Sequence, residues 1–141
     1  MVGLDKKTKA EIIEAIREAE AGTSGEIRVH VKRGPAKDAL DEAQLVFRKL
    51  GMHRTRLRNG VLIFLSWKSR SFAIVGDEGI HRAVGGAFWN GTRDRMQAHF
   101  SKGELGQGIL AGVRGAGKEL KAHFPVRADD RNELPNRVTE A

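Results

Sequence analysis

Asn59-Gly-Val-Leu-Ile-Phe-Leu-Ser-Trp-Lys-Ser-Arg-Ser-Phe-Ala-Ile-Val-Gly-Asp77 is the stretch whose reading decides the fold. Asn-Gly is turn chemistry, and it launches Val61 to Leu65, a run without a polar residue. A run of that length reads as a central strand covered on both faces. Trp67 to Arg70 is a short connection, and Ser71 to Gly76 reads as a second strand, so the two pair antiparallel. Upstream, Glu26 to Lys32 alternates. Ile27, Val29 and Val31 face one side, and Arg28 and His30 the other, the pattern of a half-buried strand. A helical segment lies between it and Val61, which predicts a parallel pair with a right-handed crossover.

Helical spacing fills the rest. From Asp5 to about Ala21 the apolar positions Ile12, Ile13, Ile16 and Ala19 share one face. Thr8 with Glu11 has capping-box spacing there, and Asp5 is a rival cap. Gly22 and Gly25 break this helix. After the Gly34-Pro35 turn, where Pro35 suits a first helical turn, Ala39, Ala43, Val46, Phe47 and Leu50 mark a second helix. Ala87 to Phe100 reads as a third. Ser101 with Glu104 repeats the capping-box spacing before a last stripe of Leu105, Ile109, Val113, Ala116 and Leu120, which Pro125 stops. The order α-β-α-β-β-α-α predicts an α/β protein, a three-layer αβα sandwich around a small mixed sheet. Residues 1–125 form its single domain, and 126–141 a polar tail.

Composition narrows the chemistry. The chain has 141 residues, Cys 0 and Tyr 0. That removes disulfides, thiolate metal sites, and cysteine or tyrosine catalysis. No run approaches the roughly 20 apolar residues of a membrane span. The N-terminus lacks the apolar core of a signal peptide, so the expected location is the cytoplasm. The net charge is +7, and no acid occurs between Glu42 and Asp77. That interval carries Arg48, Lys49, Arg54, Arg56, Arg58, Lys68 and Arg70. Such a field suits nucleic acid, anionic lipid or a phosphorylated small molecule, and it equally suits a solvated face.

The topology places candidate groups. An antiparallel third strand ends on the edge where the first two begin. Thr23, Ser24 and Glu26 should therefore meet Arg58, Asn59, Asp77 and Glu78. The opposite rim should hold Lys32, Ser66, Trp67, Lys68 and Arg70, a basic and aromatic set. A hard cation such as Ca2+ or Mg2+ takes several oxygens. Asp77, Glu78 and Glu26 offer them, with Asp129 and Asp130 of the tail as the other oxygen-rich cluster. Asp77 or Glu78 would equally serve as a helix cap or as a partner for Arg58. Gly112 to Lys118 has the spacing of a phosphate loop, but Glu119 stands where Ser or Thr should hold magnesium. The motif also falls inside a helical stripe, so its glycines read as close packing of helix on sheet. The histidines 30, 53, 81, 99 and 123 show no zinc spacing.

Several pieces taken in order carry a resemblance. They are Thr23-Ser-Gly-Glu-Ile-Arg28, Arg58-Asn-Gly-Val-Leu-Ile63, Phe72-Ala-Ile-Val-Gly-Asp77 with Gly79-Ile-His81, Phe88-Trp89, and Asp129-Asp130 with Asn132-Glu-Leu-Pro135. Together they resemble a TPM domain, from about residue 5 to 136, in its short stand-alone bacterial form. The resemblance implies an αβα sandwich. It also implies divalent-cation binding in some bacterial members and a weak acid phosphatase activity assigned to a plant chloroplast member. It supplies no agreed catalytic constellation to transfer.

Three expectations follow. The first is a Ca2+- or Mg2+-binding domain with an accessory or regulatory role beside a protein partner of unknown kind. The second is a metal-assisted phosphomonoesterase, with Arg58 or Arg56 steadying a phosphate. The third is a module for anionic lipid or nucleic acid acting through residues 48–70.

Overall fold

The computed structural model describes residues 4–85, 89–126 and 138–140. Four strands, β1 (Glu26–Lys32), β2 (Gly60–Ser66), β3 (Ser71–Gly76) and β4 (Val138–Glu140), form one sheet in the order β3-β2-β1-β4. β1 pairs parallel with β2, Ile27 opposite Val61 and Val31 opposite Leu65. β2 pairs antiparallel with β3, and β4 runs parallel to β1 on the far edge. The mixed sheet expected from Asn59 to Asp77 is therefore present, with a further strand contributed by the tail.

Helices cover both faces. They are α1 (Lys6–Ala21), α2 (Ala39–Lys49), α3 (Glu78–Val84), α4 (Asn90–Ser101) and α5 (Leu105–His123). On one face Ile27, Val29, Val31, Val61, Ile63 and Leu65 join Ile12 and Ile16 of α1 and Ile109 and Val113 of α5. On the other, Leu62, Phe64 and Ala73 meet Ala43 and Phe47 of α2, with Met52 beside them. β2 is buried at every position, as its unbroken apolar run requires. The result is a sandwich with α1, α4 and α5 on one side of the sheet and α2 on the other.

Local chemistry explains the ends. Asp5 caps α1, its Oδ1 accepting from the Thr8 amide at 2.7 Å, so Asp5 rather than Thr8 is the N-cap. Asp38 caps α2 in the same way through the Asp41 amide at 3.0 Å, and Pro35 lies ahead of the helix instead of in its first turn. Arg48 and Lys49 close α2 where the helix dipole favours cations.

Four expectations change. β1 is not half-buried: Arg28 and His30 face away from Ile27 and Val29, yet both are buried. His30 stacks on Phe64 with ring centroids 5.9 Å apart, and its Nδ1 lies 2.6 Å from the Thr139 hydroxyl of β4. The helix expected from Ala87 begins at Asn90, and α3 precedes it as a separate short helix. Ser101 and Glu104 make no capping box. Ser101 is the last residue of α4, and Glu104 precedes α5 with its carboxylate 2.8 Å from His99 Nδ1. The glycines of the phosphate-loop spacing lie inside α5, and they serve helix contacts more than the sheet. A Cβ at Gly115 would stand 2.5 Å from Thr92 Oγ1 and at Gly117 2.7 Å from Ala19 Cβ; at Gly108, ahead of that spacing, it would stand 2.2 Å from the Phe100 ring. At Gly112 a Cβ would stand 2.8 Å from Met96 of α4 and 3.0 Å from Ile63 of β2.

Candidate functional site

The rim predicted from topology exists. Asn59 leaves β2's start with its amide group 3.3 Å from Ser24 Oγ, and its carbonyl accepts from the Glu26 amide. Arg58 adopts a left-handed backbone, φ 53°, which turns its side chain back over the end of β3. Its Nε donates to Asp77 Oδ2 at 2.8 Å and its Nη2 to Asp77 Oδ1 at 3.0 Å, a two-pronged pair. Glu78 adds a looser contact to Arg58 at 3.3 Å. Asp77 in turn caps α3, its Oδ1 accepting from the Glu78 amide at 2.8 Å. Hydrogen bonding to Asp77 raises the Arg58 guanidinium further above its ordinary value.

This geometry gives Asp77 the cap-and-partner role that the sequence left open. Its side chain is 6% exposed, against 41% for Arg58, so the carboxylate is a buried anchor and the guanidinium the outward group. Thr23 is also engaged structurally. Its hydroxyl donates to the carbonyls of Leu120 and Phe124 and accepts from the Gly25 amide at 3.0 Å, tying the end of α5 to the turn before β1. Glu78 is exposed, and Arg56 is exposed. Asp129 and Asp130 lie outside the described residues. Among the described residues no group of three or more His, Asp or Glu side chains is placed to hold a metal.

The rim contains one pair that the sequence reading missed. Glu26 is 2% exposed, and the Glu20 carboxyl is near enough for Glu26 to act on its charge. Glu20 Oε2 accepts from the Ile27 amide at 2.7 Å. Burial pushes the Glu20 carboxyl up to about 7; the bonds from Ile27 and Glu26 pull the other way and lose. A signal was available: Glu20 continues the Ile12–Ile16 spacing, so an acid sits on the apolar stripe of α1.

The opposite rim departs from expectation in one respect. Lys32 is not a free base but bonds to the Glu42 carboxylate of α2. Ser66 is buried and donates to the Gly34 carbonyl at 2.9 Å. Trp67, Lys68 and Arg70 remain together there. The bases of segment 48–70 therefore divide. Arg54, Arg56 and Arg58 precede β2, and Lys68 and Arg70 follow it, separated by a strand about 20 Å long. They do not make one continuous strip.

With fold and rim described, comparison with known proteins decides the family. The model of the TPM domain matches residues 3–119. The chain belongs to the TPM domain family. Among solved structures, this TPM domain is similar to the BA42 protein of the psychrophilic bacterium Bizionia argentinensis. The two are 41% identical with a TM-score of 0.91, over 99% of this chain and 97% of that one. The N-terminal domain of a protein from P. gingivalis shares the fold at 21% identity and TM-score 0.71, covering 88% of this chain and 82% of its own. The N-terminal domain of cg2496 from Corynebacterium glutamicum does so at 14% identity and TM-score 0.67, covering 92% and 84%. No curated protein matches the chain. No helix among the described residues of this TPM domain is long and apolar enough to cross a membrane.

Proposed function

We propose that this TPM domain is an accessory domain that binds a divalent cation, Ca2+ or Mg2+, at the rim where β1 begins, with Glu26 and Glu20 as its central carboxylates. The observation that carries the reading is the burial of Glu26 next to a Glu20 carboxyl whose charge is suppressed by its surroundings. Burial makes ionisation of Glu20 beside Glu26 costly, and a proton or an oxygen-seeking cation at the pair offsets that cost. Ser24 and Asn59 offer neutral oxygens on the same rim, and Glu78 an exposed carboxylate. Asp77 is the weaker candidate ligand, because Arg58 and the Glu78 amide already use both of its oxygens. The same argument lowers the phosphomonoesterase reading, since Arg58 is neutralised by Asp77 before any phosphate arrives.

Binding should compete with the proton on Glu20. Cation affinity should therefore fall as pH drops below about 7. The test is calorimetric titration of Ca2+ and Mg2+ into chelator-stripped protein, beside Glu26→Gln and Asp77→Asn. Saturable heat lost in Glu26→Gln and kept within a few fold in Asp77→Asn is the expected result. No heat with either ion, together with an unchanged melting temperature, overturns the proposal.

A further inference from the structure

A cavity of about 430 Å3 opens at the other end of the sheet, between the β2–β3 turn and the last turn of α4. Its walls are Leu65, Trp67, Arg70, Gln97, Phe100 and Ser101. The volume falls within the range of small-ligand sites. It lies beyond the carboxyl ends of the parallel strands β1 and β2, where open α/β sheets take their ligands.

The lining has two characters. Leu65 and Phe100 are buried, and Trp67 meets Phe100 edge to face with centroids 6.0 Å apart, so one wall is apolar and aromatic. Phe72 holds Phe100 from behind at 5.0 Å. The mouth is polar and positive. The Arg70 guanidinium lies 4.3 Å from the centre of the Trp67 ring, which fixes a side chain that would otherwise sample many rotamers. Gln97 Nε2 donates to Ser101 Oγ at 3.1 Å beside it.

Arg70 has a left-handed backbone, φ 52°, where a turn would ordinarily take glycine or asparagine. The turn is closed by the Arg70 amide donating to the Trp67 carbonyl at 3.0 Å. A cationic side chain is thus held in a disfavoured backbone conformation and stacked over a ligand-sized cavity. Among the described residues no ion pair joins Arg70 to a carboxylate; Glu104 is engaged with His99 and Glu42 with Lys32. An anion would complete the charge.

We propose that this cavity binds a small organic anion, a carboxylate or phosphate group carried on an aromatic or short acyl body of roughly ten heavy atoms. The body lies against Trp67, Phe100 and Leu65, and the anionic head meets Arg70 with Gln97 and Ser101 at its side. The site is at the opposite end of the sheet from the carboxylate pair and does not depend on the cation reading.

Titration of 2-naphthoate and octanoate into the full chain, followed by nuclear magnetic resonance, tests it. Saturating shifts of the Trp67 indole and of the amides from Gln97 to Gly103 are expected, with a dissociation constant of about a millimolar or below. Arg70→Gly suits the left-handed turn and removes the cation together with its stacking on Trp67. It should weaken naphthoate about tenfold and leave the neutral 2-naphthol within twofold. Gln97→Trp, at an exposed helical position, fills the cavity and should abolish binding of both compounds. Absence of saturable shifts with either anion overturns the proposal, as does naphthoate binding unchanged in both variants. Vesicles of phosphatidylglycerol and phosphatidylcholine distinguish the source of the anion. Arg70-dependent binding to them without any shift by the free anions overturns the small-molecule site in favour of a membrane surface.

Discussion

Replacing Gly79 with alanine lowers the stability of the domain by about 3 kcal/mol or more, beyond the usual cost of overpacking a core. A Cβ at Gly79 would stand 2.2 Å from the Leu57 carbonyl oxygen and 2.7 Å from that of Arg58. Both obstacles are backbone, so no rotamer change relieves them. The Gly79 amide also donates to the Arg58 carbonyl at 2.8 Å, which holds the first turn of α3 against the strand that follows Arg58. Moving α3 outward to admit the methyl breaks that bond. It also shifts Asp77 away from Arg58, separating a buried carboxylate from its counter-ion. For a chain of this length, ~3 kcal/mol corresponds to a fall in melting temperature of roughly 10 °C. Gly34→Ala is the control, because a Cβ there meets nothing within 4 Å. It should change stability by less than about 0.5 kcal/mol. Thermal melts of the two variants check both numbers; a Gly79→Ala protein as stable as the parent would mean that α3 does not seat on Leu57 and Arg58 as described.

Glu20→Gln, measured with chelator present, should stabilise the domain at pH 8 and leave it nearly unchanged at pH 4. The sign follows from the protons bound. Burial raises the Glu20 carboxyl from 4.5 to about 7 in the folded chain, so between those values the folded state holds a proton that the unfolded state has released. The Glu20 contribution to stability is therefore greatest below pH 4.5, declines as pH rises, and levels off above about 7. The decline amounts to about 2 to 3 kcal/mol. A glutamine side chain reproduces the neutral carboxyl: its oxygen accepts from the Ile27 amide as Glu20 does. The variant should lose the decline and gain roughly 8 °C over the parent at pH 8. Melting curves at half-unit intervals from pH 4 to pH 8 decide it. A slope in Glu20→Gln as steep as in the parent would assign the titration to another group. The same substitution removes a carboxylate from the proposed cation site, so it should weaken Ca2+ or Mg2+ binding while strengthening the empty fold.

These two positions differ in how far the sequence reveals them. Gly79 was visible only as a break after β3, and α3 was missed because seven residues with a glycine in the first turn carry little helical periodicity. Asp77 was visible as a carboxylate at the mouth of the sheet. Which of its roles prevails, ligand, cap or partner, depends on where the left-handed Arg58 sends its side chain. Glu20 and Glu26 are six positions apart across the Gly22–Gly25 turn, and nothing in their spacing states that the turn brings the two carboxyls together. β4 went unread because three residues of mixed character at the chain's end have no alternation to detect.

The sequence by itself determined the sheet's central order. The unbroken apolar run of β2, the alternation of β1 and the short Trp67–Arg70 connection fix strand pairing and direction, because period, burial and loop length are local properties. The Gly34-Pro35 turn, the stop at Pro125 and the apolar stripes of α1 and α5 are local in the same sense. Only the tertiary structure decided what covers the second face of β1, where Arg28 and His30 are buried, and which carboxylates meet. It also placed Arg70 over Trp67 and closed the cavity with Gln97 and Ser101. Contacts such as Trp67 on Phe100 and His30 on Thr139 join residues far apart in the chain, and even the near pairs depend on how a turn sends its side chains. Their energies depend on distance and desolvation, which no reading along the backbone supplies.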